Sequence, residues 1–415
     1  MWIHGGFHSI KKHREFRWLW LASSINSLGD ELGAASILWA TIRLSGSLSD
    51  LGLLFLAGAA SALVSPIAGV LGDRFSRTKL MVSGNCILAI VTAGLGIIIW
   101  TYKSKGNVPF WMILCPVLVS FIVQPLAQVG AQQIISEFVP KEEWDVANSV
   151  YTVSSQLTWF LGPTLAGILV SAYGLVVPLF IDVFSFLLCA FFLYRIPFKK
   201  YESNITIRKL SINFIEGYRY LLRHRILIYN SAIVFFFSFF FGVYGVGLPL
   251  LANRQFGGPA AYGVLWSLFA VGTLIGGIIF SSRSWKLPIA KSMNTVVVLW
   301  GLLTLLLLIN VDSVIWVGLV MLLTGLVYAP YDPYSAILLQ RVVSGEMLGK
   351  VSGSIRPLTG LGGPIGGFLS GIGVSYLGIH GLFFVSGIGT VAVGVIALLL
   401  PSFRNFDRDI KVKTE

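Results

Sequence analysis

Long apolar runs, each about the length of a membrane-crossing helix and separated by short polar breaks, dominate the chain. Twelve can be delimited: 17–42, 50–72, 79–101, 108–136, 147–173, 176–196, 226–251, 260–282, 289–310, 314–340, 350–376 and 380–401. A bilayer's hydrocarbon core is ~30 Å thick, so ~20 mostly apolar residues cross it as a helix. A membrane barrel would instead need alternating strands of ~10 residues, a pattern not found here. The expectation is therefore an all-α membrane protein with twelve transmembrane helices. The first run follows a polar, basic stretch and is too long for a cleaved signal core, so it is read as a retained span.

The longest break, 197–225, divides the runs six and six. Its latter part, "INFIEGYRYLLRHR", sets Phe214, Tyr218, Leu221 and Leu222 on one helical face and Arg219, Arg223 and Arg225 elsewhere. This is the pattern of an amphipathic helix lying on a membrane surface. The halves echo each other weakly. "GVLGDRFSRTKLM" follows the second run and "GIIFSSRSWKLP" the eighth, with Arg283 and Lys286 at the mutual spacing of Arg74 and Arg77. The expected organisation is an N-terminal six-helix bundle (1–196), a linker with the amphipathic helix (197–225), and a C-terminal six-helix bundle with a short basic tail (226–415). Parallel repeats of this kind build transporters with the site between them.

Composition agrees. Only 12% of the 415 residues are charged, against about 25% in soluble proteins, too few to cover a water-soluble body of this size. The net charge of +12 would suit nucleic acid, but its placement points elsewhere. With the N-terminus in the cytoplasm, only Arg43, Lys103, Lys105 and Arg254 fall in the outer breaks and Arg356 within a span. The rest of the 30 lysines and arginines lie in the inner breaks and tails. That asymmetry is the positive-inside rule, and it sets both termini in the cytoplasm. The basic excess then faces anionic lipid rather than nucleic acid. Cys86, Cys115 and Cys189 fall inside spans without metal-ligand spacing and read as apolar filler.

The chemistry concentrates in a few intramembrane polar residues. Asp30 and Glu31 sit side by side in "SINSLGDELGAAS", near the midpoint of a run ~39 Å long. A charged acid at that depth costs roughly 2.5–3.5 kcal/mol. Asp30 shares a stripe with Ser23, Asn26 and Ser27, and Glu31 one with Ser24, Ser27 and Ala35, making a polar arc that must face a cavity or another polar helix. Two readings stand: acids tied into interhelical hydrogen bonds, or a proton or cation relay displaced by cargo. Gln124, Gln128 and Gln132 recur at four-residue spacing in the fourth run, hence on one face, as cavity lining or interhelical glue. In "YAPYDPYSA", Pro330 and Pro333 flank Asp332 and weaken the helix, which favours a gating or proton role. Tyr328, Tyr331 and Tyr334 flank that acid and can stack on an amphipathic ligand. Arg356 either snorkels to the surface or pairs with Asp332. Asp182 reads as a helix N-terminal cap, and the aromatic run "FFFSFFF" (235–241), which covers every face of its helix, mostly as lipid contact.

At "FRWLWLASSINSLGDELGAASILWATIRLSGS" and "GVLGDRFSRTKLM" the chain resembles the major facilitator superfamily, in particular its drug-antiporter branch with the macrolide efflux proteins. The resemblance covers nearly the whole length and implies two pseudo-symmetric six-helix bundles. The family's gate motif on the cytoplasmic side falls on Gly69, Asp73, Arg74, Arg77 and Lys79, with Ser76 where the family has glycine. Its implied role is a charge latch released between conformations. The family's antiporter motif falls on Gly162, Pro163 and Gly167, in a small-residue run that lets helices approach closely.

No H-E-x-x-H helix and no G-x-S-x-G turn occurs. "GEMLGKV" has the wrong glycine spacing for a phosphate loop, and the histidines lie outside the runs or at their edges. Enzymatic chemistry is not expected. The expectation is proton-coupled export of bulky amphipathic compounds such as macrolide-like drugs, by a monomer in a bacterial-type cytoplasmic membrane. It needs no cofactor, metal or nucleic acid, and sodium is the alternative coupling ion. A lysophospholipid or siderophore transporter is the alternative function.

Overall fold

A computed structural model describes residues 12–45, 47–102, 108–197, 207–282 and 288–414, except the side chains of 73, 207–214, 282, 346 and 409–414. Arg283 and Lys286, the residues of the weak internal echo, lie outside the described residues, as does 198–206 of the expected linker. Every regular element among the described residues is helical. In hydrocarbon a backbone N–H or C=O has no water to bind, so a segment must satisfy its own ladder, and a helix does.

The chain clusters into two compact units. One comprises 1–47 and 63–206, the other 48–62 and 207–415. The first contains α1 (Arg14–Ala40), most of α3 (Ala59–Arg74), α4 (Arg77–Tyr102), α5 (Phe110–Gln128), α6 (Ala131–Phe138), α7 (Trp144–Tyr173) and α8 (Val176–Tyr194). Its core gathers Phe16, Leu19, Met81, Ile134, Ile135, Cys189 and Leu193, with Trp18 stacked on Phe192 at 5.4 Å. Near one end, Glu143 receives Lys12 at 2.5 Å and lies 3.0 Å from the His13 ring nitrogen.

The second unit contains α2 (Leu48–Ala57), the first turn of α3, α9 (Ile207–Arg223), α10 (Arg225–Gln255), α11 (Pro259–Ser282), α12 (Ile289–Leu306), α13 (Val314–Tyr328), α14 (Tyr331–Val342), α15 (Gly345–Gly360), α16 (Gly362–Leu399) and α17 (Pro401–Thr414). Within it, α2 packs on α16 where Gly52 meets Gly371. Small residues set the other close crossings. A Cβ on Gly325 of α13 would run into the Phe269 carbonyl of α11, and one on Gly366 of α16 into the Phe239 carbonyl of α10. Helices in lipid gain by such backbone approach because lipid tails are as apolar as the side chains they replace. At the end of the unit, Asp407 of α17 accepts 2.9 Å bonds from the backbone N–H groups of Ala290 and Lys291 and so caps α12. Burial pushes its carboxyl above the ordinary aspartate range, against the opposing pull of those donors.

Ten helical stretches among the described residues are long and apolar enough to cross a membrane, against twelve expected. Two physical differences account for this. The polar arc of α1 leaves that 27-residue helix too hydrophilic to qualify by composition. The runs 350–376 and 380–401 lie in one 53-residue stretch, in which Gly378, with a φ of 66°, leaves the helical backbone. Four runs are themselves broken among the described residues, 50–72 at Gly58 between α2 and α3 and 350–376 at Leu361 between α15 and α16. In the other two, Val129–Gly130 separates α5 from α6, and Ala329–Pro330 separates α13 from α14.

The aromatic run is a correction. Phe237 and Phe241 do not face lipid but enter a cluster around the buried Trp300, with Tyr244, Phe269 and Tyr328. Tyr244 and Thr304 share a 2.6 Å hydrogen bond inside it. Phe236 faces outward as expected. A helix apolar on every side carries no periodic signal of which side is buried.

Gly325→Ala is expected to lower the unfolding temperature of the detergent-purified protein, at the ~1–3 kcal/mol typical of overpacking. Gly277→Ala, on α11 where a Cβ meets open space, is expected to cause no loss.

Candidate functional site

The site builds outward from α1. Its acids carry no capping role, since Asp30 and Glu31 lie deep inside the helix. Both side chains are half-buried, on the arc that the sequence predicts. The amide of buried Asn26 donates to Asp30 Oδ2 at 3.1 Å. Gln124, from α5, also donates to the Asp30 carboxyl. Farther along the arc, Trp20 Nε1 donates to Ser154 Oγ of α7 at 2.8 Å, and Tyr151 of α7 bonds Ser23. α1 is thus bound to its neighbours through its polar arc as well as through the core residues Phe16 and Leu19.

Glu31 lies directly over Gly162 of α7. A Cβ built there would overlap the Cβ and Cγ of Glu31. The Gly-Pro segment of α7 and the acid of α1 are therefore one piece of packing. Gly167, one turn and a half further on, is buried, and Pro163 sits inside the helix.

A third acid completes the group, and the sequence reading missed its role. Asp182 is not an N-terminal cap. It lies in the second turn of α8, only 4% exposed, with its carboxylate pressed against the backbone of α1 at Gly29 and Gly33. Ser185 Oγ donates to Asp182 Oδ1 at 3.3 Å. The charges of Asp30 and Asp182 are close enough to act on each other, as are those of Asp30 and Glu31. No lysine, arginine or histidine among the described residues pairs with any of the three. The available signal for Asp182 was the four-residue spacing of Gly29 and Gly33, which marks a close helix crossing.

The glutamine face is only partly brought to the site. Gln124 reaches Asp30. Gln128, at the end of α5, and Gln132, in α6 beyond the Val129–Gly130 turn, are exposed. The helix that would have aligned all three is interrupted.

The gate-motif residues sit at the α3–α4 turn. Arg74 is exposed, and Gly69 meets open space rather than a neighbouring backbone. Gly130, which the sequence reading did not single out, packs against the stem of Arg77. The side chain of Asp73 lies outside the described residues.

In the second unit the α13–α14 break is where the two prolines predict it. Pro333 falls in the first turn of α14, where a missing N–H breaks no ladder bond. Asp332 is exposed there and accepts a 3.0 Å hydrogen bond from Tyr328 Oη. Tyr328 and Tyr331 stack at 5.7 Å, and Phe237 lies against both. Tyr331 is buried, and its hydroxyl has no hydrogen-bond partner among the described residues. Tyr334 is turned away, packing its ring on Phe280. Arg356 is exposed on α15 and makes no ion pair with Asp332. Among the described residues no group of histidine, cysteine and acid side chains has a metal-binding arrangement.

A family model described as the Major Facilitator Superfamily matches residues 19–355 and 231–411. Among curated proteins, the multidrug efflux pump Tap of Mycobacterium bovis is 22% identical over 403 residues, covering 93% of each chain. Macrolide efflux protein A of Streptococcus pyogenes is 21% identical over 402 residues, covering 95% of this chain and 97% of that one. Among solved structures, the nucleoside transporter NupG aligns with a TM-score of 0.72 at 14% identity, over 94% of this chain and 99% of its own. The peptide transporter POT in complex with alafosfalin aligns at 0.74 and 13%, over 95% of both chains. At these identities the structural likeness establishes the fold.

The packing makes a chemical prediction. Dicyclohexylcarbodiimide, which attacks carboxyls reachable from an apolar medium, is expected to modify Asp30 and Glu31 and to spare Asp182, read by peptide mass spectrometry. Gly162→Ala crowds Glu31 and is expected to slow its modification, whereas Gly94→Ala, in open space on α4, leaves it unchanged. Modification of Asp182 as fast as Asp30 contradicts the described burial.

Proposed function

The chain belongs to the Major Facilitator Superfamily of membrane transporters, and on that premise we propose that it is a secondary active exporter of bulky amphipathic compounds, macrolide-like drugs among them, working by proton antiport. It is a multi-pass membrane protein and not an enzyme. The observation that carries the reading is the group of Asp30, Glu31 and Asp182 on two helices of one unit, with no cationic side chain among the described residues paired to it. Positive charge must then come from outside the protein: protons, or a cationic cargo that displaces them. A carboxyl that releases its proton when cargo binds couples the two movements. The efflux relatives support the direction of transport and the drug class.

In this reading the chain has two six-helix bundles, 1–196 and 226–415, and works by alternating access. Asp30 and Glu31 carry protons. Asn26, Gln124, Gln128, Gln132, Tyr328 and Tyr331 line the cargo space, and Asp332 and Arg356 share the proton and substrate coupling with Asp30 and Glu31. Gly69, Asp73, Arg74 and Arg77 form the gate on the cytoplasmic side, and Gly162, Pro163 and Gly167 the antiporter segment. The protein works as a monomer in a bacterial-type cytoplasmic membrane, both termini inside, without cofactor or nucleic acid.

Reconstituted vesicles test this. With one proton exchanged per cargo molecule, each pH unit supplies ~1.4 kcal/mol, or about tenfold accumulation of a labelled macrolide. Asp30→Asn or Glu31→Gln is expected to abolish accumulation driven by the pH gradient while leaving exchange of labelled for unlabelled cargo. Full accumulation in both variants, or accumulation driven by sodium alone, overturns proton coupling. A panel including a lysophospholipid and a siderophore, neither of which this reading expects to move, tests the substrate class.

A further inference from the structure

The amphipathic helix α9 presents two different sides, and among the described residues only one of them has a partner. On one side Gly217 lies against the Lys350 carbonyl and the Ser354 hydroxyl of α15, so the two backbones touch. Leu221 is buried there with Val343 and Val351, and Tyr220 Oη donates to the Val342 carbonyl at 3.3 Å. Lys350 Nζ reaches Glu216, the helix's one acid, at 2.6 Å.

The other side is uncovered. Ile215, Tyr218 and Leu222 are 53%, 43% and 54% exposed. Their three- and four-residue spacing puts them on one strip. Arg219 and Arg223, four apart, border that strip and are exposed. No ion pair among the described residues engages either arginine. The helix leads through His224 straight into α10, a candidate membrane span, which holds it at the membrane's edge.

An apolar strip bordered by unpaired arginines matches one environment, the boundary between acyl chains and anionic headgroups. A soluble acidic partner would match the arginines but not the apolar strip at the membrane's edge. We propose that α9 seats this strip on an anionic phospholipid surface, Arg219 and Arg223 meeting headgroup phosphates, and that its docked side ties α15 to that surface.

The test uses the full chain with Leu222→Cys and each of Cys86, Cys115 and Cys189 replaced by Ser, spin-labelled at position 222. It is reconstituted in phosphatidylcholine vesicles with or without phosphatidylglycerol. Label immersion is read from oxygen against nickel-chelate accessibility. Phosphatidylglycerol is expected to deepen the label. R219Q/R223Q is expected to lower the immersed-to-exposed ratio about thirtyfold, from about 1 kcal/mol per basic residue, and R219K/R223K to retain it. Immersion unaffected by phosphatidylglycerol overturns the proposal. So does a lysine double variant as impaired as the glutamine one, or an equal effect from glycerol phosphate in solution.

Discussion

A charged or polar group inside hydrocarbon must find its partners within the protein, because lipid offers none. In α1 this constraint meets its hardest case, two adjacent acids in the middle of an apolar helix. The surrounding architecture follows. Asn26 and Gln124 donate to Asp30, Trp20 and Tyr151 bond hydroxyls across to α7 or α1, and Gly162 leaves room for Glu31. Hydrogen-bond donors surround the group, while no ion pair among the described residues engages it.

The second unit answers the same constraint differently. Its buried polar side chains, Asn230, Asn294 and Thr304 among them, are uncharged, and rings around Trp300 fill much of the space, with the Tyr244 hydroxyl paired to Thr304. Tyr331, by contrast, is buried beside a helix break with its hydroxyl unsatisfied among the described residues. Breaks at depth free backbone groups, which is tolerated where they border a cavity or other protein. Prolines at 330 and 333 fix the place of that break, so Asp332 and the tyrosines owe their arrangement to backbone chemistry as much as to packing.

Run length made the helices legible, because hydrocarbon thickness imposes one scale on every span. Rarity made Asp30 and Glu31 legible, since an acid in such a run is costly. What remained hidden was direction. Phe237 and Phe236 are neighbours of identical chemistry, yet one is core and the other surface, and no polar residue nearby distinguishes them. The glutamine spacing was real, but the Val129–Gly130 turn cut the helix between its second and third members. Asp182 looked like a cap from its distance to the helix start. Its actual partner, the α1 backbone at Gly29 and Gly33, lies far away in sequence, and nothing local to either helix names the other.

That crossing of α1 and α8 has a historical corollary. A methyl at position 33 would occupy the volume that the Asp182 carboxylate fills, so neither position is free to drift alone. Lineages that retain the acid are bound to retain glycine opposite it, and those that lose it are released to enlarge. The two sites would then be inherited as a unit, a correlated footprint left by one oxygen atom resting on bare main chain.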